Sequence, residues 1–101
     1  MDSDLWTKLS MRWQVGDLVV GAIESYVAFG AFVDLGLGDI WGLIENPNFT
    51  SDRRRTDDAV PPVGATVQAV IVQLDDRHQQ IRLSLRPEDL AGASRPAPAI
   101  G

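Results

Sequence analysis

Two phenylalanines beside a glycine are the residues of this sequence best suited to bind a ligand. Residues 26–35 predict a turn, a hinge at Gly30 and then a strand. Because alternate residues of a strand point to opposite faces, Phe32 shares a face with Asp34, whereas small aliphatic residues occupy the other face. Phe29 reaches the face of Phe32 if the chain bulges at Gly30. Two rings on the solvent face of a sheet form a platform on which nucleic-acid bases stack. The alternative interpretation, with both rings in the core, fits the pattern equally well.

Patterns typical of catalysis or metal binding are weak. The 101 residues include no cysteine, which excludes disulfides and thiolate metal sites, and the one histidine, His78, falls in a polar turn. The paired carboxylates at 57–58 and 75–76 fall on predicted turns, where such pairs are usually solvated. No nucleophile–base pair or glycine-rich phosphate loop is visible. The sequence therefore predicts a protein that is not an enzyme and that uses no cofactor or metal.

The charge of the chain argues against non-specific binding to a polyanion. The formal net charge is −5, and phosphate contacts from basic side chains supply most of the affinity of that kind of binding. A local basic patch can nevertheless act alone. The run Arg53, Arg54 and Arg55 in the predicted connection 46–62 supplies candidate phosphate contacts. The alternative is a solvated loop whose arginines are neutralised by the neighbouring aspartates.

Five short strands are predicted from apolar, β-branched runs that lie between turn signals. Gly21, inside the first strand, indicates a tight bend such as a barrel corner. The long connection between the third and fourth strands fits the OB-fold, whose second and third strands form the binding face. The predicted fold is therefore an all-β, five-stranded antiparallel Greek-key barrel. The predicted strands are residues 18–23, 31–35, 40–44, 66–74 and 81–85.

Segments outside the barrel, residues 1–13 and 87–101, have different compositions. Leu5, Trp6, Leu9 and Trp13 have the spacing of one face of a short helix, which either covers an open end of the barrel or binds a partner. The tail 87–101, poor in large apolar residues, is predicted to be disordered. The N-terminus lacks the basic start of a signal peptide and no apolar run approaches membrane-spanning length, so a cytoplasmic protein is expected.

Three sequence blocks carry a resemblance to a known family. They are Phe29-Gly30-Ala31-Phe32-Val33, then Gly42-Leu43-Ile44, and finally Ile81-Arg82-Leu83-Ser84-Leu85. In this order and spacing, residues 14–86 resemble the S1-type RNA-binding domain. That OB-fold module is repeated in the largest protein of the small bacterial ribosomal subunit and occurs in many RNA-processing and translation proteins. The resemblance implies binding of single-stranded RNA with little sequence specificity.

The same resemblance implies a ligand surface built from five positions. Phe29 and Phe32 match its two aromatic residues, and Asp76 matches its acidic residue. Glu45 stands where the family usually has a histidine, and Gln80 stands where it usually has a basic residue. Both departures weaken the expected attraction for RNA.

Nearby residues offer compensation for these departures. Arg77 or Arg82 is a candidate substitute for the missing basic side chain, and Trp41 precedes the Gly-Leu pair as an added stacking surface, an interface anchor or a core residue. A second hypothesis is a protein-interaction module with Trp6, Trp13 and Trp41 as anchors, because tryptophan is enriched in binding hot spots. The expected RNA-binding set is Phe29, Phe32, Trp41, Asp76, Arg77 and Arg82.

Overall fold

Five strands close into a barrel in the computed structural model, which describes residues 3–100. Within the sheet the strands follow the order β2-β3-β5-β4-β1, and pairing of β1 with β2 closes the ring. The pairings are antiparallel except for β3 with β5, which are parallel. The predicted Greek-key OB-fold barrel is confirmed, although the sheet is mixed rather than purely antiparallel. The strands are β1 (Asp17–Val27), β2 (Gly30–Leu37), β3 (Ile40–Glu45), β4 (Thr66–Asp75) and β5 (Gln80–Ser84).

Strand β2 has the two faces that its sequence predicts. Ala31 and Val33 are fully buried, whereas Asp34 on the other face is exposed. The same alternation on the neighbouring strands fills the barrel with aliphatic side chains, whose burial is the main favourable contribution to folding. The inward residues from the other four strands are Val19, Ile23, Ile40, Ile44, Ala69, Ile71, Ile81 and Leu83.

A close backbone approach explains the glycine at the start of β2. A Cβ atom at Gly30 would lie 2.1 Å from the carbonyl oxygen of Ile44 on β3, so the two strands pair only if no side chain intervenes. The bulge that was considered as a way to bring Phe29 to the face of Phe32 is not at this glycine. The register shifts instead on β1, between Ile23 and Ser25, which places an extra residue opposite β2.

Helix α1 (Ser3–Arg12) covers one end of the barrel. Leu9 is fully buried, and Trp6 and Trp13 are only 6% and 8% exposed. Each indole has a polar partner, because Trp6 Nε1 donates to Asp76 Oδ1 at 2.9 Å and Trp13 Nε1 donates to the carbonyl oxygen of Pro98 at 2.7 Å. The apolar spacing of this segment therefore serves as a cover for the core.

The chain after residue 86 differs from the predicted disordered tail. It forms the short helix α2 (Pro87–Ala91) and the strand β6 (Arg95–Pro96), which pairs in parallel with β1. The side chain of Asp17, fully buried at the start of β1, accepts hydrogen bonds from Arg95 Nε at 3.0 Å and from its second terminal nitrogen at 3.2 Å. Ala97 and Ile100 also pack against the core. A buried carboxylate thus has its partner in the tail, and composition alone did not reveal that contact. Between residues 3 and 100, no helix combines the length and the apolar character needed to cross a membrane.

Candidate functional site

Phe29 and Phe32 form an aromatic pair on the outside of the barrel. Phe29 lies in the two-residue turn between β1 and β2 and is 56% exposed, and Phe32 is half-buried on the outer face of β2. The ring centroids are 6.1 Å apart and the planes meet at 88°, an edge-to-face arrangement favoured by the ring quadrupoles. Neither ring belongs to the hydrophobic core. The structure therefore favours the platform interpretation over the core interpretation.

The turn that carries Phe29 is held by two side chains from the connection after β3. Asn46 donates from Nδ2 to the carbonyl oxygen of Ala28 at 2.7 Å, and its backbone N–H donates to the carbonyl oxygen of Phe29 at 3.0 Å. Arg55 donates to the carbonyl oxygens of Val27 and Gly30. These bonds fix the backbone of the turn, so the exposed ring of Phe29 is presented from a rigid support. Asn46 was not among the site residues that the sequence pattern indicated.

Arg55 therefore has a different role from the predicted phosphate contact. Its guanidinium carbon lies 4.6 Å from the ring centroid of Tyr26, a cation–π geometry, and its terminal nitrogen also donates to Asn46 Oδ1 at 3.2 Å. The side chain is half-buried against β1 and β2 and supports the platform from behind. Arg53 and Arg54 are exposed and remain candidates for phosphate contacts.

Trp41 lies on the outer face of β3 and lines a shallow pocket with Phe32, Glu24 and Ser25. The pocket has a volume of about 260 Å³. Of the open alternatives for Trp41, the structure supports a surface position, because the ring is half-buried and lies outside the core. Glu24 and Ser25 were missed by the sequence analysis. Two consecutive polar residues inside β1 are the signal that could have indicated the bulge.

Arg82 lies on the same face as Phe32. Phe32 pairs with Leu43 on β3 and Leu43 pairs with Arg82 on β5, so the three residues form one row on the same side of the sheet, in which Leu43 is only 3% exposed. One terminal nitrogen of Arg82 is 3.0 Å from Glu45 Oε1, and the other is 3.0 Å from Asp75 Oδ2. The arginine therefore neutralises Glu45, the residue expected to repel phosphate, and is itself balanced by two carboxylates.

Asp75 extends this charge network toward the turn after β4. Its Oδ2 lies 2.9 Å from His78 Nδ1, and its Oδ1 accepts the backbone N–H of His78 at 3.1 Å. Hydrogen bonds from the side chain and then the backbone of His78 hold the pKa of Asp75 below its ordinary value, and the charges of His78 and Arg82 act in the same direction. Asp75 therefore stays ionised and keeps Arg82 in place.

The remaining predicted residues are less directly associated with the platform. Asp76 is exposed, but its Oδ1 accepts the indole N–H of Trp6 and so fastens helix α1. Arg77 is exposed in the turn between β4 and β5. Because Trp6 and Trp13 are buried, they are unavailable as anchors for a protein partner, which leaves Trp41 as the one candidate anchor of the three.

The chemistry available on this face is stacking and hydrogen bonding. In the part of the chain that the structure describes, no three histidine, cysteine, aspartate or glutamate side chains are arranged to hold a metal ion. The face offers three aromatic rings, a paired arginine and several carboxylates.

Curated relatives are similar to this chain over most of its length. The small ribosomal subunit protein bS1 of Synechococcus is 35% identical over 80 residues, which cover 76% of this chain and 25% of that protein. The 4-hydroxy-3-methylbut-2-enyl diphosphate reductase of Clostridium tetani is 32% identical over 87 residues, which cover 85% of this chain and 13% of that protein. The chain thus spans a quarter or less of each of these relatives.

A solved structure and a family model agree with this relationship. The chain is similar to a protein in the crystal structure of an a/eIF2alpha-aDim2p-rRNA complex from Pyrococcus horikoshii, with a TM-score of 0.63 and 25% identity, over 73% of this chain and 45% of that chain. The model of the S1 RNA binding domain matches residues 12–86, which include all five barrel strands. The chain therefore belongs to the S1 RNA binding domain family.

Proposed function

We propose that this domain binds single-stranded RNA by stacking unpaired bases on Phe29, Phe32 and Trp41, with little sequence specificity. The observation that carries the proposal is the position of these rings outside the barrel, on adjacent strands and a rigid turn. Family membership supports RNA as the ligand, since the domain type is named for RNA binding and one similar structure is a complex with rRNA.

Single strands fit this surface better than duplex RNA because a ring stacks only on a base whose face is free. Each stacked base typically contributes about 1–3 kcal/mol to binding, and stacking tolerates any base. The rings of Phe29 and Phe32 are nearly perpendicular, so one flat base cannot stack on both. Two successive unpaired bases, one on each ring, fit that geometry.

Phosphate contacts add a smaller contribution in this proposal. Arg82 is close to the rings but paired, and Arg77, Arg53 and Arg54 are exposed cations on the turn between β4 and β5 and in the connection after β3. Since the chain carries a net charge of −5, we expect modest affinity that falls as salt rises. Asp76 contributes indirectly, through its bond to helix α1.

Fluorescence anisotropy with a labelled oligouridine at low salt tests the proposal. Phe32→Ala should weaken binding by roughly fivefold or more, the loss expected for one stacked base. Val20→Ala is a matched control, because Val20 is 60% exposed on β1 and lies outside the platform. Wild-type affinity in the double variant Phe29→Ala/Phe32→Ala, with an unchanged circular dichroism spectrum, would refute the proposal.

The proposal assigns binding and no catalytic step to this chain. The similar reductase shares only a small part of its length with this chain, so its reaction is not carried over. Because several relatives are named as ribosomal proteins, we also propose a cytoplasmic location and a role in translation or RNA metabolism.

A further inference from the structure

We propose that the pocket between Trp41 and Phe32 selects guanine, with Glu24 as the residue that reads the base. This inference rests on the proposed RNA-binding function and adds one base-selective position to a platform that otherwise accepts any base. Stacking explains affinity, whereas Glu24 offers acceptors at the edge of the stacked base.

The β-bulge explains why two consecutive residues, Glu24 and Ser25, both line the pocket. Ile23 points into the core and pairs with Val33, while the next registered pair on these strands is Ser25 with Phe32. Glu24 is the extra residue between these pairs, and it lines the pocket together with Ser25 and the two rings. Regular alternation after the inward Ile23 already turns Glu24 outward, and the bulge brings Ser25, the partner of Phe32, to the same face.

The carboxylate of Glu24 differs from the others on this face because it has no partner. Glu45 and Asp75 both accept hydrogen bonds from Arg82. Among residues 3–100, no partner forms a hydrogen bond or ion pair with the side chain of Glu24, and this residue is exposed. It is therefore free to accept hydrogen bonds from a ligand seated between the rings.

Guanine is the base whose edge matches such an acceptor. Its Watson–Crick edge presents two adjacent donors, N1–H and the 2-amino group, which a carboxylate accepts through both oxygens. Adenine and cytosine each place a ring-nitrogen acceptor beside their amino donor, and uracil has one donor between two carbonyls. Only guanine gives the carboxylate two hydrogen bonds without facing it with an acceptor. Unpaired RNA bases are commonly read along this edge while stacked on aromatic side chains.

The test compares labelled heptamers that are uridine except for a central guanosine, inosine, adenosine or cytidine. Inosine keeps N1–H and lacks the 2-amino group. The wild-type domain should bind the guanosine oligomer roughly tenfold more tightly than the adenosine oligomer, with inosine intermediate, because hydrogen bonds to a charged acceptor are strong. The measured quantity is the ratio of these affinities, so that general charge effects cancel.

Glu24→Gln should reduce the guanosine-to-adenosine ratio to near one. Asp39→Asn is the control, since Asp39 is exposed in the turn between β2 and β3, loses the same charge and does not line the pocket. Asp39→Asn should leave the ratio unchanged. Equal binding of all four oligomers by the wild type overturns the inference and leaves the proposed function standing, whereas no binding of any oligomer refutes both. A separate titration compares a dimethylarginine peptide with the guanosine oligomer by the NMR signal of the Trp41 indole. If the peptide shifts this signal and the oligomer does not, the pocket binds a protein side chain and the inference is overturned.

Discussion

Replacing Glu45 with glutamine should convert a neutralised arginine into a phosphate contact. Glu45 lies on the proposed binding face and holds one terminal nitrogen of Arg82 at 3.0 Å. The glutamine keeps the shape of the side chain and removes its negative charge. Arg82 then retains only Asp75 as a charged partner, and the neutral amide oxygen at position 45 competes less strongly than a carboxylate with a phosphate oxygen for the other terminal nitrogen.

The size of this effect follows from the exposure of the pair. The Glu45 side chain is 43% exposed and that of Arg82 is 21% exposed, so water screens their attraction. Pairs of this kind contribute about 0–1 kcal/mol, so the variant should lose little stability. The variant removes the repulsion between Glu45 and phosphate and leaves more of the Arg82 charge available to the RNA. RNA affinity should therefore improve by about two- to fivefold at low salt, which corresponds to up to about 1 kcal/mol of binding free energy.

The salt dependence of binding separates this mechanism from a change in stacking. For single strands, each additional phosphate contact makes the slope of log K against log salt more negative by about 0.7. Fluorescence anisotropy titrations at salt concentrations from roughly 20 to 200 mM give this slope for the wild type and for Glu45→Gln. In the double variant Glu45→Gln/Arg82→Gln the gain in affinity and slope should disappear.

Weaker binding by Glu45→Gln, or a gain that persists when Arg82 is also replaced, would refute this reasoning. The first result would show that Glu45 contacts the RNA favourably. The second would show that Arg82 does not reach the phosphate. Neither result depends on which base is stacked, because the oligomer is the same in every measurement.

Three further predictions concern the barrel. Leu9→Ala should lower the free energy of unfolding by about 2–5 kcal/mol in urea denaturation, because Leu9 is fully buried, whereas Met11→Ala at an 81% exposed position should change it by less than about 0.5 kcal/mol. Trp6→Phe should cost about 1 kcal/mol in the same assay, since it removes the hydrogen bond to Asp76 and keeps an aromatic ring. The pKa of Asp75 is held below its ordinary value of 3.8, so its contribution to stability is present above that pH and is lost as pH falls through the lower folded value; thermal melts should show this loss below about pH 4, and Asp75→Asn should reduce it.

The sequence predicted those parts of the molecule that alternate regularly. Strand β2 shows why: small aliphatic residues alternate with Phe32 and Asp34, and only one orientation of such a strand buries the aliphatic face. In that orientation Phe32 points outward, so its position follows from the alternation alone. The observed strands extend past the predicted ones by a few residues at most, because glycine and polar turns end them on both sides.

Long-range contacts account for what the sequence did not predict. Arg55 looked like a phosphate ligand because three arginines occur together, yet its place against Tyr26 and the turn before β2 depends on how the connection folds back. The tail looked disordered because its composition is poor in large apolar residues. Its order depends on Arg95 meeting Asp17, a partner 78 residues earlier in the chain. Neither contact leaves a local pattern in the sequence.

Arg82 connects the stability of the barrel with the charge of its proposed binding face. It lies on β5 next to the parallel pairing with β3, and its two ion pairs reach Glu45 at the end of β3 and Asp75 at the end of β4. A side chain that joins three strands on the outer surface and already pairs with two carboxylates attracts a phosphate less strongly than an unpaired arginine would. The positive charge of Arg82 is therefore already paired in the free protein, while the rings of Phe29, Phe32 and Trp41 remain outside the core and available to a ligand. For this reason, discrimination between ligands on this face should depend on the shape and edge of a stacked base more than on the number of its phosphates.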